Sequence, residues 1–263
     1  MSAPLSDLQE DLTLLRECAV ESGEIALAHR KKGLKIRSKP GGSPVTDADL
    51  AVDAFLTERL RAARPGYGWL SEETADDPDR LKRRRIFVVD PIDGTTAFMK
   101  HRPWFSVALA VVEDGRAVVG VVHAPALAET YDALAGAGAR LNGDPVAPSA
   151  VRTLRDCAML GDPAAFSGDS WPPMRVERRN SIAYRMALVA AGAFDAAAAP
   201  TPKWDWDVAA GAAIAAEAGA CVTDHLGRPY RFNQPEPRQP GLLCAAPGVH
   251  AQLVAKYARA EAA

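Results

Sequence analysis

The sequence predicts a mixed α+β to α/β chain: two helices packed on a mostly antiparallel sheet, then a shorter alternation of strands and helices. Three observations predict it. Over residues 6–32, Leu8, Leu12, Leu15, Ala19, Ile25 and Ala28 recur close to helical spacing. Residues 105–112 and 117–122 are rich in β-branched and apolar side chains and flank Glu113-Asp114-Gly115-Arg116, the pattern of a hairpin. Beyond Pro148, short apolar runs alternate with alanine-rich helical stretches.

Taken in order, the first helix is expected to end near Gly33, and Thr46 or Asp47 opens a second that runs to Arg61 with Leu50, Phe55, Leu56 and Leu60 inward. Ile86-Phe87-Val88-Val89 reads as a buried strand running out at Asp90, because Pro91 has no N–H to give a sheet and the chain must turn there. After the hairpin, residues 129–134 and 139–142 add strands. The second half reads as strand 157–160, helix 181–191, strand 193–198, helix 207–218 and strand 221–223, with loops at 163–173 and 233–241. A chain of 263 residues sits near the upper size for one core, so two closely packed subdomains are expected, 1–148 and 149–263.

Composition narrows the partners. An apolar fraction of 48% supports a substantial core, and a net charge of −2 gives no general attraction to nucleic acid or to an anionic membrane. No apolar run approaches the ~20 residues of a membrane span. The first residues lack a basic region followed by an apolar one, and Cys18, Cys157, Cys221 and Cys244 show no Cys-x-x-Cys spacing. The expectation is a cytoplasmic protein with reduced core thiols. The histidines show no zinc spacing.

The chemistry concentrates at Asp90-Pro91-Ile92-Asp93-Gly94-Thr95-Thr96. Asp90 and Asp93 can turn their carboxylates into one pocket, and hard oxygen ligands suit Mg²⁺. Gly94, Thr95 and Thr96 offer N–H groups and hydroxyls at a helix start, where an anion is favoured. Two further acidic segments, Ser71-Glu72-Glu73 and Trp204-Asp205-Trp206-Asp207, could converge on the same cations. Singly these residues are ordinary: Asp-Pro and Asp-Gly form turns, Glu72-Glu73 suits a solvated loop, and Asp207 would cap the helix that follows it.

Together they resemble the inositol monophosphatase superfamily of Mg²⁺-dependent, lithium-sensitive phosphatases. The resemblance rests on Asp-Pro-Ile-Asp-Gly-Thr at Asp90 to Thr95 and on Trp206-Asp207 followed by a small-residue helix ending Glu217-Ala218-Gly219. Pro44-Val45-Thr46 with Asp49, and Glu72-Glu73, complete four motifs in the family's order. The resemblance implies a layered αβαβα sandwich with its active site between the halves, and two or three Mg²⁺ ions. It makes Glu72, Asp90, the Ile92 carbonyl, Asp93 and Asp207 the metal ligands. Glu72 and Thr95, with Asp49 behind Thr95, would position and deprotonate water, while Gly94, Thr95 and Thr96 bind phosphate. Glu73 is expected outside the ligand set, and Lys39 is a possible contributor near the metals.

Substrate choice is set by other side chains. Inositol monophosphatases carry an acid seven positions before the Trp-Asp aspartate; here that position is Pro200. The stretch from Pro200 to Asp207 instead resembles the 3′(2′),5′-bisphosphate nucleotidases of sulfur assimilation. In that branch a lysine precedes Leu-Val-Ala, and Arg185 stands in its place, able to meet a second phosphate and so to bind substrate together with Asp207. Arg178 and Arg179 are further phosphate candidates, whereas Arg80-Leu81-Lys82-Arg83-Arg84-Arg85 reads as a solvated face. Trp204 and Trp206 stand near the ligand aspartate Asp207, one as a pocket wall or a stacking surface for a base, with core packing expected for Trp206. The resulting expectation is hydrolysis of adenosine 3′,5′-bisphosphate, with inositol, sugar or histidinol phosphates next. Some relatives act as non-catalytic binders, which the complete acidic set argues against. Relatives commonly form homodimers, so a homodimer is expected here.

Overall fold

The computed structural model describes residues 5–39, 42–168 and 170–261. Helix α1 (Leu5–Lys32) is followed by a small hairpin of β1 (Ile36–Ser38) and β2 (Pro44–Thr46) and by α2 (Asp47–Ala63). Thr46 caps α2: its hydroxyl accepts from the Ala48 N–H at 3.2 Å, and Asp49 reaches back to the Thr46 N–H at 2.8 Å. Leu56 and Leu60 are buried as expected, but Leu50 is 42% exposed and lies off the inward stripe.

A seven-stranded sheet follows, in spatial order β3 (Gly68–Ser71), β4 (Arg85–Asp93), β5 (Ser106–Glu113), β6 (Arg116–Ala124), β7 (Glu129–Leu134), β8 (Gly138–Leu141) and β9 (Asp144–Pro145). Within this sheet only β3 and β4 pair in parallel. The β5–β6 turn places Asp114 at φ 49° and Gly115 at φ 82°, the two positive values a tight two-residue hairpin needs. Strand β4 does not stop at Asp90. It pairs on through Asp93, with Asp90 opposite Ala108 and Asp93 opposite Ser106, so Pro91 and Ile92 face one residue across a bulge. The missing Pro91 N–H bends the strand without ending it, because the bulge removes the need for a ladder donor there.

The second half adds β10 (Ala158–Leu160), β11 (Arg175–Glu177), β12 (Ala196–Ala199), β13 (Lys203–Trp204), β14 (Cys221–Thr223), β15 (Arg238–Gln239) and β16 (Leu242–Ala245). Five of them form a sheet in the order β11-β10-β12-β16-β14, and β13 pairs with β15. The short α3 (Thr95–Met99) follows β4, and α4 (Ile182–Ala190), α5 (Asp205–Ala218) and α6 (Pro247–Glu261) complete the helices. In this half strands β11, β13, β15 and β16 and helix α6 went unread in the sequence, since each is short or carries little periodicity.

Alternation along β4 shows the layering. Phe87 and Val89 pack with Leu15, Leu56 and Leu60 of α1 and α2, while Ile86 and Val88 pack with Met186 and Ile214 of α4 and α5. Along β12, Ala197 joins that middle layer and Ala196 and Ala198 turn outward to Val249 and Leu253 of α6. The result is the αβαβα sandwich. Gly120 shows how tightly α5 lies on the large sheet, because a Cβ there would come within 2.5 Å of the Ala210 carbonyl oxygen. The middle helices therefore start at fixed positions against the end of β4. Among the described residues no helix is long and apolar enough to cross a membrane.

Candidate metal centre and active site

Asp90, Asp93 and Asp207 come from a strand, the far side of its bulge and the first turn of α5, yet their carboxylate oxygens lie within 4.8 Å of one another. Asp90 is 1% exposed and Asp93 5%. Each is held differently. Asp90 accepts from the Ile92 N–H at 3.1 Å, across its own turn. Asp93 accepts from the Ser181 hydroxyl at 2.6 Å and from the Ile182 and Ala183 N–H groups at 3.1 and 2.7 Å, so its carboxylate sits on the N-terminus of α4. Asp207 accepts from the Trp204 N–H at 2.8 Å. Trp204, not Asp207, is the N-cap of α5, and Asp207 stands at the third helical position, reaching back to it.

Burial and mutual repulsion set the protonation of this group. Burial first, then the charges of Glu72, Asp93 and Asp207, pushes the Asp90 carboxyl well above the usual carboxylate range. Burial raises Asp93 to about 6 against its three donors, and burial with the Asp93 charge raises Asp207 to about 7. Three crowded carboxylates without a paired base are unfavourable as anions unless a cation neutralises them. An all-oxygen donor set from rigid elements fits a hard divalent cation such as Mg²⁺, so the residues present suit the ion the sequence implied.

Glu72 stands beside this group. Its N–H donates to the Val89 carbonyl at 3.2 Å, extending the β3–β4 pairing, and its carboxylate takes the Lys39 ammonium at 2.8 Å. Lys39 also holds Glu73 at 2.7 Å. The Glu73 side chain is 5% exposed against 24% for Glu72, so Glu73 faces inward, and burial raises it to about 7. Lys39 is thus an ion-pair partner of both glutamates rather than a solvated lysine.

Thr95 follows Gly94, whose φ of 90° and whose approach to Ser181 N, 2.9 Å from where a Cβ would stand, admit only glycine comfortably. The Thr95 hydroxyl lies 3.1 Å from the Ile92 carbonyl oxygen and 3.4 Å from Asp49 Oδ1, and its one proton goes to either. Asp49 is buried, tied to Thr46, and raised by that burial. Gly94, Thr95 and Thr96 are half-buried at the start of α3, where first-turn N–H groups have no helical acceptor. The sequence missed Ser181, which holds Asp93, caps α4 through the Tyr184 N–H at 3.0 Å and meets Ser106 Oγ at 3.0 Å. A serine opening a helix was visible; its aspartate lies 88 residues away.

A cavity of about 380 Å³ has Asp162, Phe166, Arg178, Asn180, Arg185 and Lys203 among its walls, and it reaches the carboxylates through Ile182, another wall residue, whose N–H donates to Asp93. Arg185 donates to the Arg179 carbonyl, and the Lys203 ammonium to Thr201 Oγ1 at 2.8 Å; no ion pair to a carboxylate is found for either among the described residues. Burial lowers both pKa values, partly offset by Asp93 for Arg185 and by Asp207 for Lys203. Arg178 pairs with Asp162, and Arg179 lies 4.2 Å over the Trp104 ring and pairs with Glu177 at 2.9 Å. Trp204 and Trp206 stack at 4.8 Å, with Arg238 4.9 Å from Trp204, and Trp206 packs on the core. The basic run is not a solvated face throughout. Arg80 is 2% exposed, pairs with Asp76 at 2.6 Å and bonds Asn233 at 2.7 Å, and Arg85 pairs with Glu113 at 2.6 Å.

Residues 7–263 match the sequence profile of the inositol monophosphatase family. The chain is 32% identical over 232 residues to the 3′(2′),5′-bisphosphate nucleotidase CysQ of Aggregatibacter actinomycetemcomitans, covering 84% of this chain and 86% of that protein. It is 33% identical over 230 residues to the histidinol-phosphatase of Chlorobaculum parvum, covering 83% and 87%. The solved IMPase of Thermotoga maritima superposes with a TM-score of 0.82 at 28% identity, over 97% of this chain and 98% of that one.

Proposed function

The chain belongs to the inositol monophosphatase family, and from that premise we propose that it is a Mg²⁺-dependent phosphomonoesterase acting on adenosine 3′,5′-bisphosphate. That it is a phosphatase of this family follows from its membership; the ion and the substrate are the proposal. In this reading Glu72, Asp90, the Ile92 carbonyl, Asp93 and Asp207 hold two or three Mg²⁺ ions. Bound there, such ions supply charge neutralisation at the phosphoryl oxygens and an acidified water. Gly94, Thr95 and Thr96 receive the phosphate through N–H groups and hydroxyls. The Thr95 hydroxyl, backed by Asp49 Oδ1, and the Glu72 carboxylate take up the proton of the attacking water and pass it on. Lithium inhibition, a cytoplasmic setting and a homodimer belong to the same proposal.

One observation carries the choice of substrate: Arg185 and Lys203, two cations without a paired carboxylate among the described residues, line the cavity whose wall residue Ile182 donates to Asp93. Burying a cation without an anion is costly, so a substrate carrying a second phosphate at that distance would be favoured. A second reading rests on Asp162 in the same wall, which would suit the ammonium of histidinol phosphate if that ammonium displaced its Arg178 partner. Phosphate release from adenosine 3′,5′-bisphosphate, histidinol phosphate and inositol 1-phosphate, measured side by side in Mg²⁺, decides between them. A hundredfold preference for the nucleotide, about 2.7 kcal/mol, that shrinks at least tenfold in Arg185→Gln or Lys203→Gln is expected. Preference for another ester sinks the nucleotidase reading and leaves the phosphatase standing. A protein inactive on all three, with Asp93→Asn indistinguishable from wild type, would instead be a binder.

A further inference from the structure

A larger cleft, about 680 Å³, lies in the outermost layer, between one face of α6 and the segments around Leu154 and Trp171. Gln252, Lys256 and Arg259 share that face at helical spacing, and Arg155 stands opposite. Among the described residues none of the three cations makes an ion pair and no carboxylate lines the cleft. In a chain of net charge −2 this is a local concentration of positive charge, not a general one. Its aromatic wall is fixed: Trp171 packs edge-on against Phe166 at 4.9 Å and Tyr257 at 5.7 Å. The Lys256 ammonium lies 5.8 Å from the Trp171 ring and donates to the Ser170 carbonyl, so the cation is already positioned over the indole.

The cleft is separate from the catalytic cavity. Phe166 lines the cavity of Arg185 and Lys203, and Trp171 lines the outer cleft, so the contact between these two rings forms the partition. The volume lies within the ~300–1,000 Å³ usual for small-molecule sites. We propose that this cleft is a second, metal-independent site for an organic anion with a planar ring, of which a nucleoside monophosphate is the simplest form. The ring lies against Trp171, and the anionic group meets Lys256, Arg259 and Arg155. Nothing in this reading depends on the substrate chosen above.

The test is calorimetric titration of the full chain with adenosine 5′-monophosphate after metal removal, in an Arg185→Gln/Lys203→Gln background in which the cavity near the aspartates has lost both of its unpaired cations. One saturable site is expected, weakening as salt rises. Affinity should fall at least tenfold in Lys256→Gln/Arg259→Gln and at least threefold in Trp171→Leu, and stay unchanged in Asp93→Asn. Lys256→Gln/Arg259→Gln alone should retain wild-type phosphatase activity in Mg²⁺. Absence of saturation up to millimolar nucleotide overturns the site. So does binding that survives Lys256→Gln/Arg259→Gln but changes in Asp93→Asn, which would put the nucleotide among the carboxylates. Inorganic phosphate binding as tightly as the nucleotide would remove the ring from the proposal.

Discussion

Asp93 and Asp207 enter the same carboxylate group by opposite routes. Asp93, beyond the β4 bulge, is clamped by three donors from residues 88 to 90 positions downstream, all at the start of α4. Asp207 is held by a single N–H three residues back, within its own helix start. Asp93 therefore joins the large sheet to the middle helices, whereas Asp207 closes only its own helix start; in the proposed reading each also offers a ligand oxygen. A residue's place in a ligand set says nothing by itself about its share in stability; the donors around it do.

The comparison can be broken at several points. The largest effect is on turnover, where the two should be alike: Asp93→Ala and Asp207→Ala are each expected to lower kcat/KM by at least a thousandfold, about 4 kcal/mol. A variant retaining more than a tenth of wild-type activity would remove its aspartate from the ligand set. Next, Mg²⁺ at a hundred times its Kd should raise wild-type stability by about 2.7 kcal/mol in thermal melts, and by much less in Asp207→Ala. Equal stabilisation of both proteins would place the ion elsewhere.

In metal-free buffer the two should part. Asp93→Ala leaves Ser181 Oγ, Ile182 N and Ala183 N without their acceptor, and is expected to cost about 2 kcal/mol in urea unfolding. Asp207→Ala removes a half-buried like charge and one capping contact, so a change under about 0.5 kcal/mol in either direction is expected. Equal losses would erase the distinction. The smallest effect sharpens it: Ser181→Ala removes the α4 cap and one of Asp93's donors, and should cost about 1 kcal/mol and weaken Mg²⁺ binding severalfold by calorimetry. Unaltered metal affinity would make Ser181 a cap and nothing more.

These effects follow the line between what was legible in the chain and what was not. The helices at 5–32 and 47–63, the Glu113 to Arg116 turn and the acidic triplet were legible because local chemistry marks them: periodic leucines, a capping threonine, a glycine at positive φ, carboxylates around Pro91. The roles of Glu73, Arg80 and Lys39 were not, because a charged side chain in a surface-like run looks the same whether water or another charge meets it. Arg80 meets Asn233 across 153 residues, and Lys39 meets the glutamates more than 30 residues on.

The sequence by itself determined the family through four motifs in order, and that resemblance implied the αβαβα class and the meeting of Asp90, Asp93 and Asp207. Each motif is a set of residue types at fixed local spacing, which bulges, caps and turns obey wherever they occur. Only the tertiary structure decided which partners hold each aspartate, that β4 runs on through its proline, and that Arg185 and Lys203 share a wall. Those facts depend on how closely α4 and α5 approach the sheet, and that distance is set by packing between segments the chain keeps far apart.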